Sequence, residues 1–341
     1  MNRLAASPAL GNRQSGLTMV EMMVALVISL VLLAGVLQVY LSSKSTYKAN
    51  EGLSRLQEDG RFAMATLTKS LQAAGFRGCS SYQPSESPVV AASYTGGTLT
   101  SSNALSLSGQ DDLAAGNSLG AKTGTDSITI RRAASPAYTL KNDVPIGNTS
   151  LTLSTTGDFK SGQDALITDC VKTDIFQTAA GTSGSTVNSA TALRNYLAPA
   201  NSLGSCGAAE ATVYHYRDDT YYIGDSGRKT TTGLPIYSLY VVDPLTGAPA
   251  QPLVDGVENM QIQYLQDGGS NYVDASAVTD WDAVIGVRLS LFVDSVNDAQ
   301  PQADTSTYQI GPKSYTVPAT PPDRRLHKVF TTTISLNNHL Q

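Results

Sequence analysis

Residues 17–41, LTMVEMMVALVISLVLLAGVLQVYL, form an almost unbroken apolar run that contains one acid, Glu21. As a helix these 25 residues reach about 37 Å, enough to cross a hydrocarbon core with some tilt. An ordinary secretory leader fits poorly, because its apolar stretch is shorter and ends at a small-residue cleavage site of the A-x-A kind. Leu-Leu-Ala-Gly at 32–35 approaches a lipoprotein signal, but Val36 stands where that motif needs cysteine. The run therefore reads as a helix kept in the mature chain. A carboxylate in lipid is costly unless paired or protonated, so Glu21 calls for a partner. The plainer alternative is an interfacial glutamate near a helix end.

Charge and composition divide the rest. Residues 1–16 carry Arg3 and Arg13 and no acid, while residues 42–341 are rich in Ser, Thr and Gly. Only 15% of the 341 residues are charged, and the net charge is −5. That balance argues against a nucleic-acid binder with a broad basic face. Low charge with 16 tyrosines argues against a disordered chain. Three cysteines exclude a disulfide-dense mini-scaffold, and one apolar run excludes a polytopic membrane protein. Arg3 and Arg13 favour a cytoplasmic N-terminus, but Lys44 and Lys48 beyond the run make the charge rule indecisive alone.

After Leu41 the pattern becomes amphipathic. Leu53, Leu56, Gly60, Ala63, Leu67, Leu71 and Ala74 recur at three- and four-residue spacing, which marks one face of a continuing helix. Glu51, Arg55 and Asp59 at four-residue steps support an exposed opposite face. Gly75 is the expected C-cap. A helix from about 17 to 74 would be roughly 87 Å long. Its second half needs a sheet to cover its apolar face. A coiled coil is less suitable, since the leucines keep no strict heptad.

Beyond it, Ser127–Arg131, Thr212–Tyr216, Ile236–Val242, Met260–Tyr264 and Val284–Val293 alternate or are β-branched and read as strands. Stretches near 95–126, 178–192 and 298–322 read as Gly/Ser/Thr/Pro-rich loops. The expected architecture is α+β: a long N-terminal helix, membrane stalk first and amphipathic half second, with a C-terminal antiparallel β-rich head. Two β subregions fit within that head, but no clean linker separates them. Cys79, Cys170 and Cys206 lack C-x-x-C spacing, so zinc is not expected. An exported head would hold one disulfide and one free thiol. Spacing leaves all three pairings open.

Catalytic motifs are weak. Gly224-Asp225-Ser226-Gly227 matches a serine-protease nucleophile loop, but Arg228 breaks it, and His215, His327 and His339 lack the expected setting. It reads better as turn chemistry. Asp218, Asp219 and Asp225 do not follow a calcium-loop spacing and read as a solvated acidic loop. Arg131-Arg132 and Arg324-Arg325 read as solvated surface pairs. No phosphate loop or dinucleotide fingerprint occurs, and no cofactor, metal or catalytic residue is expected.

The string Gly16-Leu17-Thr18-Met19-Val20-Glu21 before an apolar run resembles the class III leader of type IV prepilins. The resemblance implies that a prepilin peptidase cuts after Gly16 on the cytoplasmic side and methylates the amine of Leu17. The usual residue after the cut is Phe, and Leu17 departs from it. Glu21 then stands fifth in the mature chain, where the resemblance implies that it sets assembly register. A neighbour's terminal ammonium would neutralise it in the fibre core, where an unpaired charge is strongly destabilising. Gln38 occupies the position where major pilins often carry a kinking proline, although Gly35 is a point of local weakness.

Further segments are similar to the PilW branch of minor pilins: Gly75–Cys79, Asp169-Cys170, Asp174–Phe176, Gly256-Val257-Glu258, Trp281, Val287-Arg288 and Arg325–Asn337. The resemblance extends over nearly the whole chain and is weakest at 84–125. It implies Cys79 paired with Cys170, with the extra Cys206 as an alternative partner. It implies residues 1–16 as a cleaved leader, 17–41 as membrane and fibre-core helix, 42–75 as its amphipathic continuation and 76–341 as a periplasmic head. The implied function is non-enzymatic: a minor pilin that primes pilus assembly at or near the fibre tip, serving twitching, adhesion or DNA uptake indirectly. The implied partners are other minor pilins and the major pilin through their N-terminal helices, the prepilin peptidase, the assembly platform and the inner membrane. Direct nucleic-acid binding is not expected. The implied location is the bacterial inner membrane, then the pilus. The rivals are a J-type pseudopilin of type II secretion and a dedicated tip adhesin.

Overall fold

The computed structural model describes residues 16, 18–79, 106–199, 210–242, 249–336 and 338, and the backbone of 89–90. Helix α1 spans Met19–Gln72, 54 residues or about 81 Å. It starts where Thr18 and Glu21 form a reciprocal capping box. It runs without a break through Gly35 and Gln38. It ends at Ala73 in a right-handed conformation, so Gly75 is not the cap itself. Gly75 instead turns the chain at φ +73° and donates its N–H to the Arg131 carbonyl at 2.9 Å. That bond ties the helix end to the head.

The strands are β1 (Val89–Val90), β2 (Leu107–Gln110), β3 (Ser127–Thr139), β4 (Ser150–Thr152), β5 (Asp164–Thr168), β6 (Thr173–Gln177), β7 (Thr186–Asn188), β8 (Thr212–Lys229), β9 (Pro235–Val242), β10 (Gln251–Asp255), β11 (Val257–Gln266), β12 (Val284–Asp294), β13 (Thr307–Ile310), β14 (Lys313–Thr316) and β15 (His327–Ser335). They build an eight-stranded sheet in the order β1-β6-β5-β8-β3-β2, with β9 on β8 and β10 on β9. A second sheet runs β11-β12-β15, and β13-β14 and β4-β7 are separate pairs. All pairings are antiparallel except the short β1–β6 contact. All five strands expected from alternation are present. The stretches expected as loops also hold β2, β7 and the β13–β14 hairpin. Such three- and four-residue strands are too short to show periodicity, and tertiary contacts make them.

Two cores account for the two β subregions. The first joins Leu56, Ala63, Leu67 and Leu71 of α1 to Ile128 and Ile130 of β3, Ile223 of β8, and Met260, Ile262, Val287, Leu289 and Leu291 of β11 and β12. The second holds Tyr138, Leu140, Leu151, Phe159, Ile167, Phe176, Val187 and Tyr196. Strand β8 explains why no linker separates them. Its first residues pair with β5 beside the second core, and its later residues pair with β9 beside the first.

The buried face of α1 is Gly52, Leu56, Gly60, Ala63, Leu67, Ser70 and Leu71. Leu53, expected on that face, is 42% exposed. Gly52 takes its place because the head approaches too closely for a side chain: a Cβ on Gly52 would lie 2.6 Å from Ala299 Cβ. Gly60 is similar, with the Phe330 ring 2.4 Å from where a Cβ would stand.

Candidate assembly site

The apolar start of α1 packs on nothing among the described residues. Every residue of its most apolar window is unburied. A helix that is apolar all round and naked in water is stable only in lipid or among other helices. At its start, Glu21 Oε2 accepts from both the backbone N–H and the hydroxyl of Thr18, each at 3.0 Å. The Glu21 N–H donates back to Thr18 Oγ1 at 3.3 Å. In the single chain, therefore, Glu21 serves its own helix end. Thr18-x-x-Glu21 is a capping signature legible in the sequence, which the reading of Glu21 as a lone membrane acid overlooked. Gly16 is exposed, and a Cβ there would meet nothing within 4 Å. Leu17 lies outside the described residues.

The other end of α1 is clamped covalently. Cys79 bonds to Cys170, 91 residues away, with Cα atoms 4.7 Å apart. Cys170 sits at φ +68° in the β5–β6 turn, so the bond joins the chain leaving α1 to the eight-stranded sheet. Cys206 lies outside the described residues.

Under α1, the head contains a buried ionic cluster. Arg325 holds Asp294 at 2.5 Å, Glu258 at 2.7 Å and Asp323 at 2.5 Å. Three carboxylates around one guanidinium engage all three of its nitrogens. Burial would raise Asp323, but hydrogen bonds from His327 and Arg325 hold it well below the usual carboxylate range. His327 also bonds Asp304 at 2.9 Å, and its pKa is raised: burial opposes the charge, and the Asp323 and Asp304 partners overcome it. The cluster links β11, the end of β12 and the start of β15.

Residues 220–338 match the family model of PilW, type IV pilus-assembly protein W, and residues 11–37 match the prokaryotic N-terminal methylation motif. Over these two stretches the chain is similar to a PilW-like type IV pilin. No curated protein matches it. The two matches cover the ends and leave 38–219 unmatched, so they are narrower than a resemblance over nearly the whole chain. The PilW match takes in β9–β15, every member of the Arg325 cluster and the sheet on which α1 lies. Both matched families are structural pilus components, and the motif at residues 11–37 together with the exposed apolar start of α1 fits a membrane-anchored pilin.

The remaining motifs of this PilW-like chain have structural roles. Ser226 donates to the Ile236 carbonyl at 2.7 Å, in an irregular stretch between paired residues Asp225 and Lys229. His215 bonds Asp158 at 2.7 Å and stacks on Phe159, so it and Ser226 do not form a dyad. Asp218 and Asp219 are not a solvated loop; both are buried in β8. Asp218 pairs with Arg131 at 3.4 Å, and Asp219 pairs with Arg132 and Arg217. Asp225 is exposed, as expected. Arg131 and Arg325 were expected on the surface and are instead buried: Arg131 lies in β3 and pairs with Asp218, and Arg325, just before β15, is drawn in by Asp294, Glu258 and Asp323. No His, Cys, Asp and Glu cluster suited to a metal ion occurs among the described residues.

Proposed function

We propose that this pilin is a minor subunit that primes pilus assembly and sits at or near the fibre tip. It begins as a single-pass inner-membrane precursor with residues 1–16 in the cytoplasm and 76–341 in the periplasm. Cleavage after Gly16 frees the amine of Leu17, which is then methylated. In the assembled fibre Glu21 exchanges its own cap for the terminal ammonium of a neighbour, and residues 17–41 enter the helical bundle. The observation that carries this reading is the division of α1: an apolar start headed by Glu21 that packs on nothing among the described residues, and a second half locked to the head by Gly52, Gly60 and the Cys79–Cys170 bond. Such a subunit delivers a rigid head by means of a helix built for association.

The test is twofold. Mass spectrometry of the mature chain should find it starting at methylated Leu17. Gly16→Trp should leave a precursor heavier by the 16-residue share of the 35.8 kDa, 341-residue chain, about 1.7 kDa. Deleting the gene should reduce surface pili and leave protein secretion intact. Normal piliation with a secretion defect would assign the chain to a secretion pseudopilus.

A further inference from the structure

Where α1 leaves its apolar run, it forms a recess with the head that the assembly reading leaves unexplained. The recess has a volume of about 280 Å³, and its lining includes Leu41, Lys44, Ser45, Lys48, Asp298 and Arg324. Lys44, Lys48 and Arg324 are exposed and join no ion pair among the described residues. Asp298 is the one acid among the described residues that line it. The site combines two elements far apart in sequence. Lys44 and Lys48 stand one helical turn apart on α1. Arg324 comes from the head, beside Arg325, whose side chain is fixed in the buried cluster. The facing loop is held in place, since Ala299 and Gln300 both donate backbone N–H groups to the Arg324 carbonyl, at 2.9 and 3.1 Å. Ala299 is also the residue packed on Gly52.

Depth decides what such a recess meets. Met19–Leu41 spans about 34 Å of helix, close to the thickness of a hydrocarbon core. Lys44 then lies about 4.5 Å beyond its edge and Lys48 about 10 Å, across the layer that holds lipid phosphates. We infer that Lys44, Lys48 and Arg324 form a binding site for the phosphodiester headgroup of an anionic phospholipid in the outer leaflet of the inner membrane. The inference rests on the membrane-anchored orientation proposed above. It gives the lysines that blurred the charge rule a role unrelated to topology. A bound headgroup would also hold the head at a set height over the bilayer until the subunit is extracted into a fibre.

The experiment uses the full mature chain in dodecyl maltoside micelles doped with phosphatidylglycerol, read by native mass spectrometry. Wild type should retain one phosphatidylglycerol in preference to phosphatidylcholine. Each cation near a lipid surface contributes about fivefold, so K44S/K48S/R324S should lose roughly a hundredfold in retention and R324S alone about fivefold. Equal retention by wild type and the triple variant would overturn the site. So would equal retention of phosphatidylcholine, or displacement of the lipid by inorganic phosphate, which would mark a small-anion site. Cross-linking of Lys48 to a second copy in membranes would assign the recess to subunit contact instead. Alkaline-carbonate extraction of membranes separates the two readings. A wild-type chain released by carbonate defeats the anchor itself, whereas a chain that stays in the membrane but retains no lipid defeats only this site.

Discussion

Glu21 accepts the backbone N–H of Thr18 at 3.0 Å, so the carboxylate proposed to bind a neighbour is already satisfied at its own helix terminus. Capping occupies Oε2 of the carboxylate that docking would use, and assembly in this scheme is an exchange of partners. Glu21→Ala should leave membrane insertion no worse, since it removes a charge from an apolar helix. It should leave cleavage after Gly16 and the disulfide intact and yet lower recovery of the subunit in sheared pili. Glu21→Asp should rescue only in part, because its shorter side chain does not reach the same geometry. Thr18→Ala removes the cap and leaves the carboxylate, so it should assemble far better than Glu21→Ala. Immunoblots of membrane and sheared fractions read all three, and wild-type recovery of Glu21→Ala would move register to the apolar face or the heads.

Gly60 tests how closely α1 lies on the head. Alanine is favoured over glycine in a helix by about 1 kcal/mol. Against that, a Cβ at 60 would stand 2.4 Å from the Phe330 ring, and overpacking costs about 1–3 kcal/mol. Gly60→Ala should therefore melt at a lower temperature than wild type in detergent, and adding Phe330→Leu should restore part of the loss. An unchanged melting temperature would mean that the ring swings aside.

The Cys79–Cys170 bond closes a separation of 91 residues. In the chain-entropy account a closure of that size stabilises by about 4–5 kcal/mol. Cys170→Ser should lower the thermal midpoint strongly. Non-reducing peptide maps of the exported protein should show the Cys79–Cys170 linkage with Cys206 free. A Cys170–Cys206 linkage would refute the pairing while leaving export in an oxidising compartment standing.

Asp164 gives stability a pH dependence of definite sign. Burial, with Asp218 adding repulsion, raises its pKa to about 7 from 3.8. Between those values the folded state keeps a proton that the unfolded chain has released, so stability falls as pH rises through that window. Asp164→Asn should gain stability over wild type at pH 8 by roughly 1–2 kcal/mol, discounted for solvent screening, with little difference at pH 4. Denaturant melts at the two pH values read the difference. A variant less stable than wild type at both would show that the carboxylate has an ionic partner.

The stalk was legible because its rules are local. An apolar run and a three-and-four spacing act within one or two turns of the same helix. They foretold α1 to within two residues at each end, Met19–Gln72 against 17–74. The longer strands were legible for the same reason, since the alternating Val287, Leu289, Leu291 and Val293 mark the face that enters the first core.

What only the tertiary structure decided joins residues far apart. Gly52 displaced Leu53 from the buried face because Ala299, nearly 250 residues later, comes within reach of the helix backbone. Arg131 and Arg325 looked like surface charges because their carboxylate partners, Asp218 and Asp294, lie on other strands. The spacing of three cysteines left three pairings open, and the meeting of the α1 exit with the β5–β6 turn selected one. The sequence by itself determined the anchor helix and the β-rich character of the head, since backbone hydrogen bonding and hydrophobic periodicity repeat over a few residues. Sheet order, the buried ion pairs and the disulfide needed the fold, because each depends on distances that no local pattern encodes.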